Sequence, residues 1–562
     1  MTEISPGLVL VLGALLVPVL RGRARAIYTL ALPVLAFAHL AMLPYGNFGE
    51  IQFLGLDLVT LRVDRLSSIF GFIFLIAAFV SVIYALHEED AVQQTAALGY
   101  AGCAIGAVFA GDLVTLFVFW EGTAITSVFL IWARRTDAAF ASGMRYLIIQ
   151  VLSGLLLFFG VLVQYRTTGS IAFNALGLET QAGILIFLSF GIKCAFPLMH
   201  NWLQDSYPEA TVTGTVWLSA FTTKLAVYSL ARGYAGTEIL VPIGAAMTAF
   251  PIFYAVIEND LRRVLAYSLN NQLGFMVVGI GIGTELALNG TAAHAFCHIL
   301  YKALLFMSMG AVLFRTGTVK GSELGGLYKS MPWTAGFCIV GAASISAFPL
   351  FSGFISKALI ISAAMDEGYF WTWLVLLFAS AGVFHHSGIK IPYFAFFAHD
   401  SGIRCKEAPL NMLIAMGIVS VLCVGLGVMP HVLYDLLPYP VDYHPYSLEH
   451  VVTQMQLLMF SALAFTVLMR TGLYPPELRS VNLDFDWTYR RLGRLLERQF
   501  QIKSANAWTA LVSRTYRGIT RFIETLYRHH GPEGVLARTW PTGSMAFWAT
   551  VMLGAYLVLY YI

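Results

Sequence analysis

The sequence predicts an all-α polytopic membrane protein, and three observations predict it. Only 12% of the 562 residues are charged and 58% are hydrophobic, whereas a soluble domain carries about 25% charged residues. The mean hydropathy is +0.73, which excludes a soluble globule and a disordered chain alike. The apolar runs are continuous and long, where a membrane barrel would show alternating segments of about ten residues. At roughly 20 residues per span there is room for about 14 to 16 helices.

Sixteen apolar stretches follow in order: 5–21, 25–43, 64–87, 94–111, 112–132, 140–165, 181–203, 209–231, 237–258, 262–284, 291–314, 331–364, 369–398, 409–437, 452–470 and 543–562. The N-terminal MTEISPGLVLVLG lacks a basic leader region and reads as the first span rather than a signal peptide. The stretch 331–364 is too long for one straight helix and holds FPLFSG at its centre; 181–203 holds AFP at 195–197. Proline removes a helical hydrogen bond and clashes with the preceding turn, so both predict broken helices. Each falls fourth in a five-helix unit, 94–231 and 237–398. Interrupted helices at matching places point to a transporter-like internal repeat, and an odd number of spans per unit makes the two units inverted. The remaining segments are 1–93, 409–470, 471–542 and 543–562.

Lys and Arg set orientation. Arg21, Arg23, Arg25, Arg134, Arg135, Arg262, Arg263, Arg315, Lys320, Lys329, Arg404 and Lys406 all fall in loops after odd-numbered spans. Those loops are expected in the cytoplasm of a bacterial inner membrane, with the N-terminus outside. Between 471 and 542 the composition changes, with 11 of the 34 Lys and Arg. Phe485, Tyr489, Leu492, Leu496 and Phe500 recur at helical spacing, as do Trp508, Leu511, Ile519, Phe522 and Leu526. This is an amphipathic arm, expected on the cytoplasmic membrane surface or against a neighbouring subunit, and 543–562 returns through the membrane.

The net charge of +3 says little about partners and implies no nucleic acid. Cys103, Cys194, Cys297, Cys338, Cys405 and Cys423 form no C-x-x-C pair, so no metal, cluster or cofactor site is expected. Gly279, Gly281 and Gly283 lie in an apolar helix and read as packing glycines.

The informative residues are ionisable groups deep in the spans: Glu121, Lys193, Lys224, His294, His298, Lys302 and Lys357. A charge at mid-span costs about 2.5–3.5 kcal/mol, so Glu121 and the four lysines together cost roughly 12–18 kcal/mol if unpartnered. Any one alone could snorkel to the interface; the set, spread over the helices and beside the breaks, points to proton handling. His294, His298 and Lys302 stand at i, i+4 and i+8, a stripe about 12 Å long on one helix face. Glu121 near Lys193 would make a switch, because a paired lysine holds its proton and an unpaired buried one releases it.

These residues sit in FVFWEGTAITSVFLI (117–131), IKCAFPLMHNWLQDSYPEATVTG (192–214), TTKLAVYSLAR (222–232), DLRRVLAYSLNNQLGFMVVGIG (260–281), HAFCHILYKALLFMSMGAV (294–312) and LGGLYKSMPWTAGFCIVGAASISAFPLFSGFISKALI (324–360). In this series the chain resembles, over about 95–435, the antiporter-like proton-channel subunits of respiratory complex I, membrane-bound hydrogenases and Mrp-type cation/proton antiporters. The KEAP word at 406–409 and the length look most similar to the D-type component of the Mrp antiporters. The resemblance implies fourteen core helices with two inverted five-helix repeats, followed by a lateral arm and terminal helix. It implies Glu121 as the ion-pair glutamate, Lys193 as the switching lysine and Lys224 as a connecting lysine. His294, His298 and Lys302 match the central axis, and Lys357 matches the exit-side lysine. Two positions depart: Leu218 stands where some members have a histidine, and Gly154 where the largest members have an aspartate. His385 and His386 match no pattern and read first as packing residues, with a local water site and a cytoplasmic-end contact as the alternatives.

The expected function is proton translocation within a multisubunit complex, of the cation(Na+)/proton antiporter type. The same module in a redox-driven or inorganic-carbon-uptake complex, and a non-transporting scaffold, are the alternatives. The implied partners are other membrane subunits and the bilayer, and no catalysis by this chain alone is expected. A sodium site needs several converging hard oxygens. Glu121 is the one carboxylate found deep in the spans, so protons are the expected ion here and any sodium path lies elsewhere in the complex.

Overall fold

The computed structural model describes residues 3–475, 477–478 and 482–562, with Tyr489 described by its backbone alone. They form two bodies, one through Asn482 and one from Leu483 to Ile562. In the first, helices α1 (Pro6–Ala14) and α2 (Gly22–Met42) precede strands β1 (Gly46–Phe53) and β2 (Leu56–Val63), then α3 (Arg65–Tyr84). Next come α4 (Ala91–Val108), α5 (Leu113–Trp132), α6 (Asp137–Thr168), α7 (Gln181–Lys193), α8 (Asn201–Ser206), α9 (Gly214–Ala220) and α10 (Thr222–Gly233). They are followed by α11 (Leu240–Ile257), α12 (Leu261–Ile282), α13 (Glu285–Thr316), α14 (Pro332–Ile345), α15 (Ser352–Asp366) and α16 (Phe370–Val383). The last of these runs on into π-helical turns at Phe384–Lys390 and Tyr393–Phe397. Helices α17 (Leu410–Val428), α18 (Pro430–Tyr434) and α19 (Leu448–Thr471) close the body.

Every expected span meets a helix. Among the described residues ten helices are long and apolar enough to cross a membrane, and α7 and α14 are shorter apolar pieces. The difference from sixteen has physical causes. Pro197 and Pro349 cut two spans into halves, and α12 carries Asn270, Asn271 and Gln272 in its middle. The first stretch stays helical only to Ala14 and continues in tighter turns ahead of Pro18.

The two five-helix stretches share local construction. Asp112 caps α5 and Asp260 caps α12. The same two aspartates bridge to Ala172 and Lys320, each just past the following helix. Those following helices, α6 and α13, are both 32 residues long and end on Gly169 (φ 70°) and Gly317 (φ 76°), left-handed caps that favour glycine. Both breaks read Ala-Phe-Pro-Leu. Ala195 (φ 61°) and Leu198 (φ 70°) in one, and Ala347 (φ 58°) and Leu350 (φ 74°) in the other, are left-handed. For a side-chain-bearing residue that conformation costs about 1–2 kcal/mol, so the same strain is held twice.

The β-hairpin is absent from the all-α expectation. Its two-residue turn, Leu54 (φ 51°) and Gly55 (φ 78°), has the mirror-image geometry that hairpins favour. It lies against the α4–α5 link, with Arg62 N donating to Phe109 O at 2.7 Å and Gly111 N to Val59 O at 2.9 Å. Asp112 joins the two pieces, accepting from Thr115 N at 2.7 Å, Thr115 Oγ1 at 2.7 Å and Val59 N at 2.9 Å. Asp112→Ala removes a helix cap and orphans a strand N–H, and is expected to destabilise by about 2–4 kcal/mol. Thermal unfolding of the detergent-solubilised protein checks this; an unchanged midpoint would show that the clasp contributes nothing.

The core gathers around α13, which is almost wholly enclosed and packs on α3, α9, α12, α14, α15 and α17. The second body holds α20 (Asp486–His530), about 67 Å long at 1.5 Å per residue, and α21 (Thr542–Tyr561). Within that body the side chains of Leu492, Leu496, Phe500, Trp508, Leu511, Phe522 and Leu526 are all exposed.

Candidate functional site

Six of the seven residues singled out in the sequence, the lysines and histidines, are buried to within 2% of completely. Glu121 is half-buried. They fall into two clusters with Lys224 between them in sequence.

The first cluster lies where α7 ends beside α5. Lys193 is the last residue of α7; its Nζ donates to Trp120 O at 2.7 Å and Thr123 Oγ1 at 2.8 Å and stands 4.4 Å from the Trp120 ring centroid. Trp120 is held in turn, its Nε1 donating to Ser153 Oγ at 3.1 Å and Ser153 Oγ to Ser189 O at 2.8 Å. Glu121 does not pair with Lys193. Its Oε1 is buried with no hydrogen-bond partner among the described residues. The expected ion pair is therefore replaced by two neutral acceptors on the lysine. Gly154 explains where the carboxylate sits, since a Cβ there would stand 1.4 Å from Glu121 Oε1. The missing side chain at position 154 is what makes room for Glu121.

Lys224 sits at a break the sequence did not announce. The expected span 209–231 is split at Phe221 (φ −103°, ψ −67°) into α9 and α10. The carbonyl freed there, Ser219 O, accepts from Lys224 Nζ at 2.6 Å, with Thr223 Oγ1 at 3.2 Å. Tyr100 OH fills the other side, accepting from Thr222 N at 2.9 Å. With no proline or glycine at the break, the chain carried no sequence signal for it.

The second cluster is built on one face of α13, as the spacing predicts. The His294 and His298 rings are 6.2 Å apart and nearly parallel. His294 Nδ1 lies 3.0 Å from Ser356 Oγ, and its Nε2 lies 3.4 Å from Tyr301 OH, which donates to Gln272 Oε1 at 3.0 Å. Gln272 Nε2 donates to Asn271 Oδ1 at 2.6 Å, and Asn271 Nδ2 to Thr248 O. Both ring nitrogens of His298 have no partner among the described residues. Lys302 Nζ donates to Ser268 Oγ at 2.8 Å. Lys357 Nζ donates at 2.7 Å to Ile345 O, the last residue of α14 before the break. Breaking the helix thus supplies a lysine with an acceptor that an intact helix would have used itself.

Several residues escaped the sequence reading. Thr123, Ser268, Gln272, Tyr301 and Ser356 are ordinary polar residues that matter only for what they touch. His385 packs against Phe465 and Tyr474, with ring centroids 5.2 and 5.5 Å away, as expected. His386 does more: its Nδ1 lies 2.9 Å from Ser387 Oγ, which donates to Ser268 Oγ at 2.7 Å. The group is thereby joined to Lys302. Further along the same π-helical turn, Lys390 Nζ donates to Val256 O at 2.6 Å and Glu258 O at 2.7 Å and pairs with Glu477 Oε1 at 2.9 Å. Burial pushes the Glu477 carboxyl up, and the Lys390 ammonium pulls it back down.

Residues 110–384 match the NADH:quinone oxidoreductase/Mrp antiporter transmembrane family, a range that contains all seven predicted residues. The D-type component of the Na(+)/H(+) antiporter of Alkalihalophilus pseudofirmus is 34% identical over 287 residues, covering 47% of this chain and 58% of that one. This chain therefore spans less than two thirds of that relative. The N-type component of the NADH-quinone oxidoreductase of Desulforudis audaxviator is 31% identical over 360 residues, covering 58% of this chain and 70% of that one. A chain of the membrane-bound sulfane sulfur reductase, an archaeal respiratory membrane complex, superposes with a TM-score of 0.70 at 21% identity over 99% of both chains. With 70% of the quinone oxidoreductase component covered at 31% identity, this chain belongs to the NADH:quinone oxidoreductase/Mrp antiporter transmembrane family.

Proposed function

We propose that this chain is the proton-conducting subunit of a multisubunit membrane complex of the cation/proton antiporter type. One observation carries the reading. Lys193, Lys224, Lys302 and Lys357 are buried among apolar spans, and their hydrogen bonds go to carbonyl and hydroxyl oxygens, with no carboxylate among their partners in the described residues. A scaffold gains nothing from four such groups at about 2.5–3.5 kcal/mol each. A lysine held by neutral acceptors can lose its proton and remain solvated by its neighbours, which is what a relay needs. His298, buried with both nitrogens free of protein partners among the described residues, fits a hydrated path between lysines.

The driving partner lies on other chains. The antiporter relative supports cation/proton exchange, and the likeness to a quinone oxidoreductase component supports a redox-driven complex as the second reading. The exposed apolar side chains along α20, Leu492, Leu496 and Phe500 among them, support docking on a neighbouring subunit. The bacterial plasma membrane, with basic loops inside and the N-terminus outside, is the location the Lys and Arg pattern favours. Co-purification of the native complex with identification of its subunits separates the two readings.

Conduction itself is tested at Lys357. Lys357→Ala deletes one proton site and relieves a desolvated charge, so the complex is expected to assemble normally and lose proton flux in vesicles by on the order of a hundredfold. Full flux from an assembled variant would remove Lys357 from the path.

A further inference from the structure

The hydrogen-bonded line at Lys302 continues past Ser268, through Ser387 to His386. All four of these side chains are wholly buried. His386 Nε2 has no partner among the described residues. Four residues on lies Lys390, also wholly buried. Lys390 anchors at Val256 O and Glu258 O, the end of α11 and the start of the short link to α12. Its acidic partner, Glu477, comes from the connector beyond α19, and the Glu477 side chain retains 6% exposure. The opposite carboxylate of the link is also tied to this connector, since Asn482 Nδ2 donates to Glu258 Oε2 at 3.2 Å. The helix that carries His386, Ser387 and Lys390 is π-helical over Phe384–Lys390, a rare geometry that is frequent at functional sites.

We infer that His386, Ser387 and the Lys390–Glu477 pair form a proton inlet, leading from the aqueous edge beside the α11–α12 link to Lys302. The inference rests on the conduction reading above and extends it to residues beyond the 110–384 family match. Glu477, as the acid, gives its proton to the Lys390 amine, and Lys390 passes one to His386 Nε2. His386 releases its Nδ1 proton to Ser387 Oγ. The Ser387 hydroxyl proton moves to Ser268 Oγ, and the Ser268 proton moves to the Lys302 amine. Each hydroxyl and the imidazole gain one proton and lose one, so one proton taken up at Glu477 arrives as one on Lys302.

The test is proton flux by the assembled complex in vesicles. Glu477→Gln and Ser387→Ala are each expected to lower flux by roughly tenfold or more, while Glu477→Asp retains most of it. The double variant Lys390→Met/Glu477→Gln removes both charges together. A relay stays broken in it, whereas a merely structural pair is relieved of its unpaired charge. Flux restored in the double variant overturns the inlet. Full flux in Glu477→Gln and Ser387→Ala, with Lys357→Ala silent, also overturns the inlet and leaves conduction standing. Full flux in all three overturns both. Ser387→Ala removes one hydroxyl and keeps the test open if the charge variants fail to assemble.

Discussion

Lys193→Arg is expected to assemble at wild-type levels and conduct no protons. Lys193 Nζ has two neutral acceptors, Trp120 O and Thr123 Oγ1, and an indole face 4.4 Å away. These contacts suit a cation, and the aromatic face adds attraction. Arginine keeps the charge and the attraction but holds its proton under nearly all conditions, so the step through this site stops. The expected loss is on the order of a hundredfold or more. Lys193→Met serves as the control for bulk, since it removes the proton site without adding donors. Proton flux in vesicles, with assembly measured for each variant, is the readout. A scaffold, or a lysine that merely ties α7 to α5, tolerates arginine. Full flux from assembled Lys193→Arg would make Lys193 structural.

How much of this was legible in the sequence follows from what each residue needs to reveal itself. Length, low charge and long apolar runs dictated a helical membrane protein. Pro197 and Pro349 marked the two broken helices because proline acts locally. The His294–His298–Lys302 stripe was legible because i, i+4 spacing survives any packing. The hairpin at Gly46–Val63 was not, since its turn depends on a left-handed Leu54 that no local rule favours. The break at Phe221 also left no mark, because Tyr100, whose hydroxyl takes up the Thr222 N–H there, comes from 122 residues away. The polar role of His386 is hidden from the sequence for the same reason: its link to Lys302 runs through Ser387 and Ser268, which lie 119 residues apart. Contacts between distant segments decide these cases, and the pattern of one segment does not contain them.

Gly154→Ala is expected to leave the fold intact and cut proton flux. Alanine is the better helix former by about 1 kcal/mol, so α6 should be no less stable. The added Cβ would stand 1.4 Å from Glu121 Oε1 and 2.4 Å from Glu121 Cδ. Those atoms are the free end of a flexible side chain, so the carboxylate moves and the helices do not. Displacing a reacting group by about 1 Å costs on the order of a hundredfold; a loss of at least roughly tenfold is expected here. Glu121→Ala should abolish flux outright, because it removes the carboxylate placed beside the Lys193 site, and a lysine without a nearby carboxylate loses its proton more easily. Glu121→Asp should retain part of it, with the charge kept on a shorter stem. The two sites are also expected to couple. In the Glu121→Asp background no atom extends to the 1.4 Å position, so the Gly154→Ala penalty should shrink rather than add. The double-mutant cycle on flux, with unfolding midpoints measured alongside, reads this directly. Unchanged flux in Gly154→Ala would mean that the placement of Glu121 is immaterial, and strictly additive losses would mean that the two residues act through different contacts.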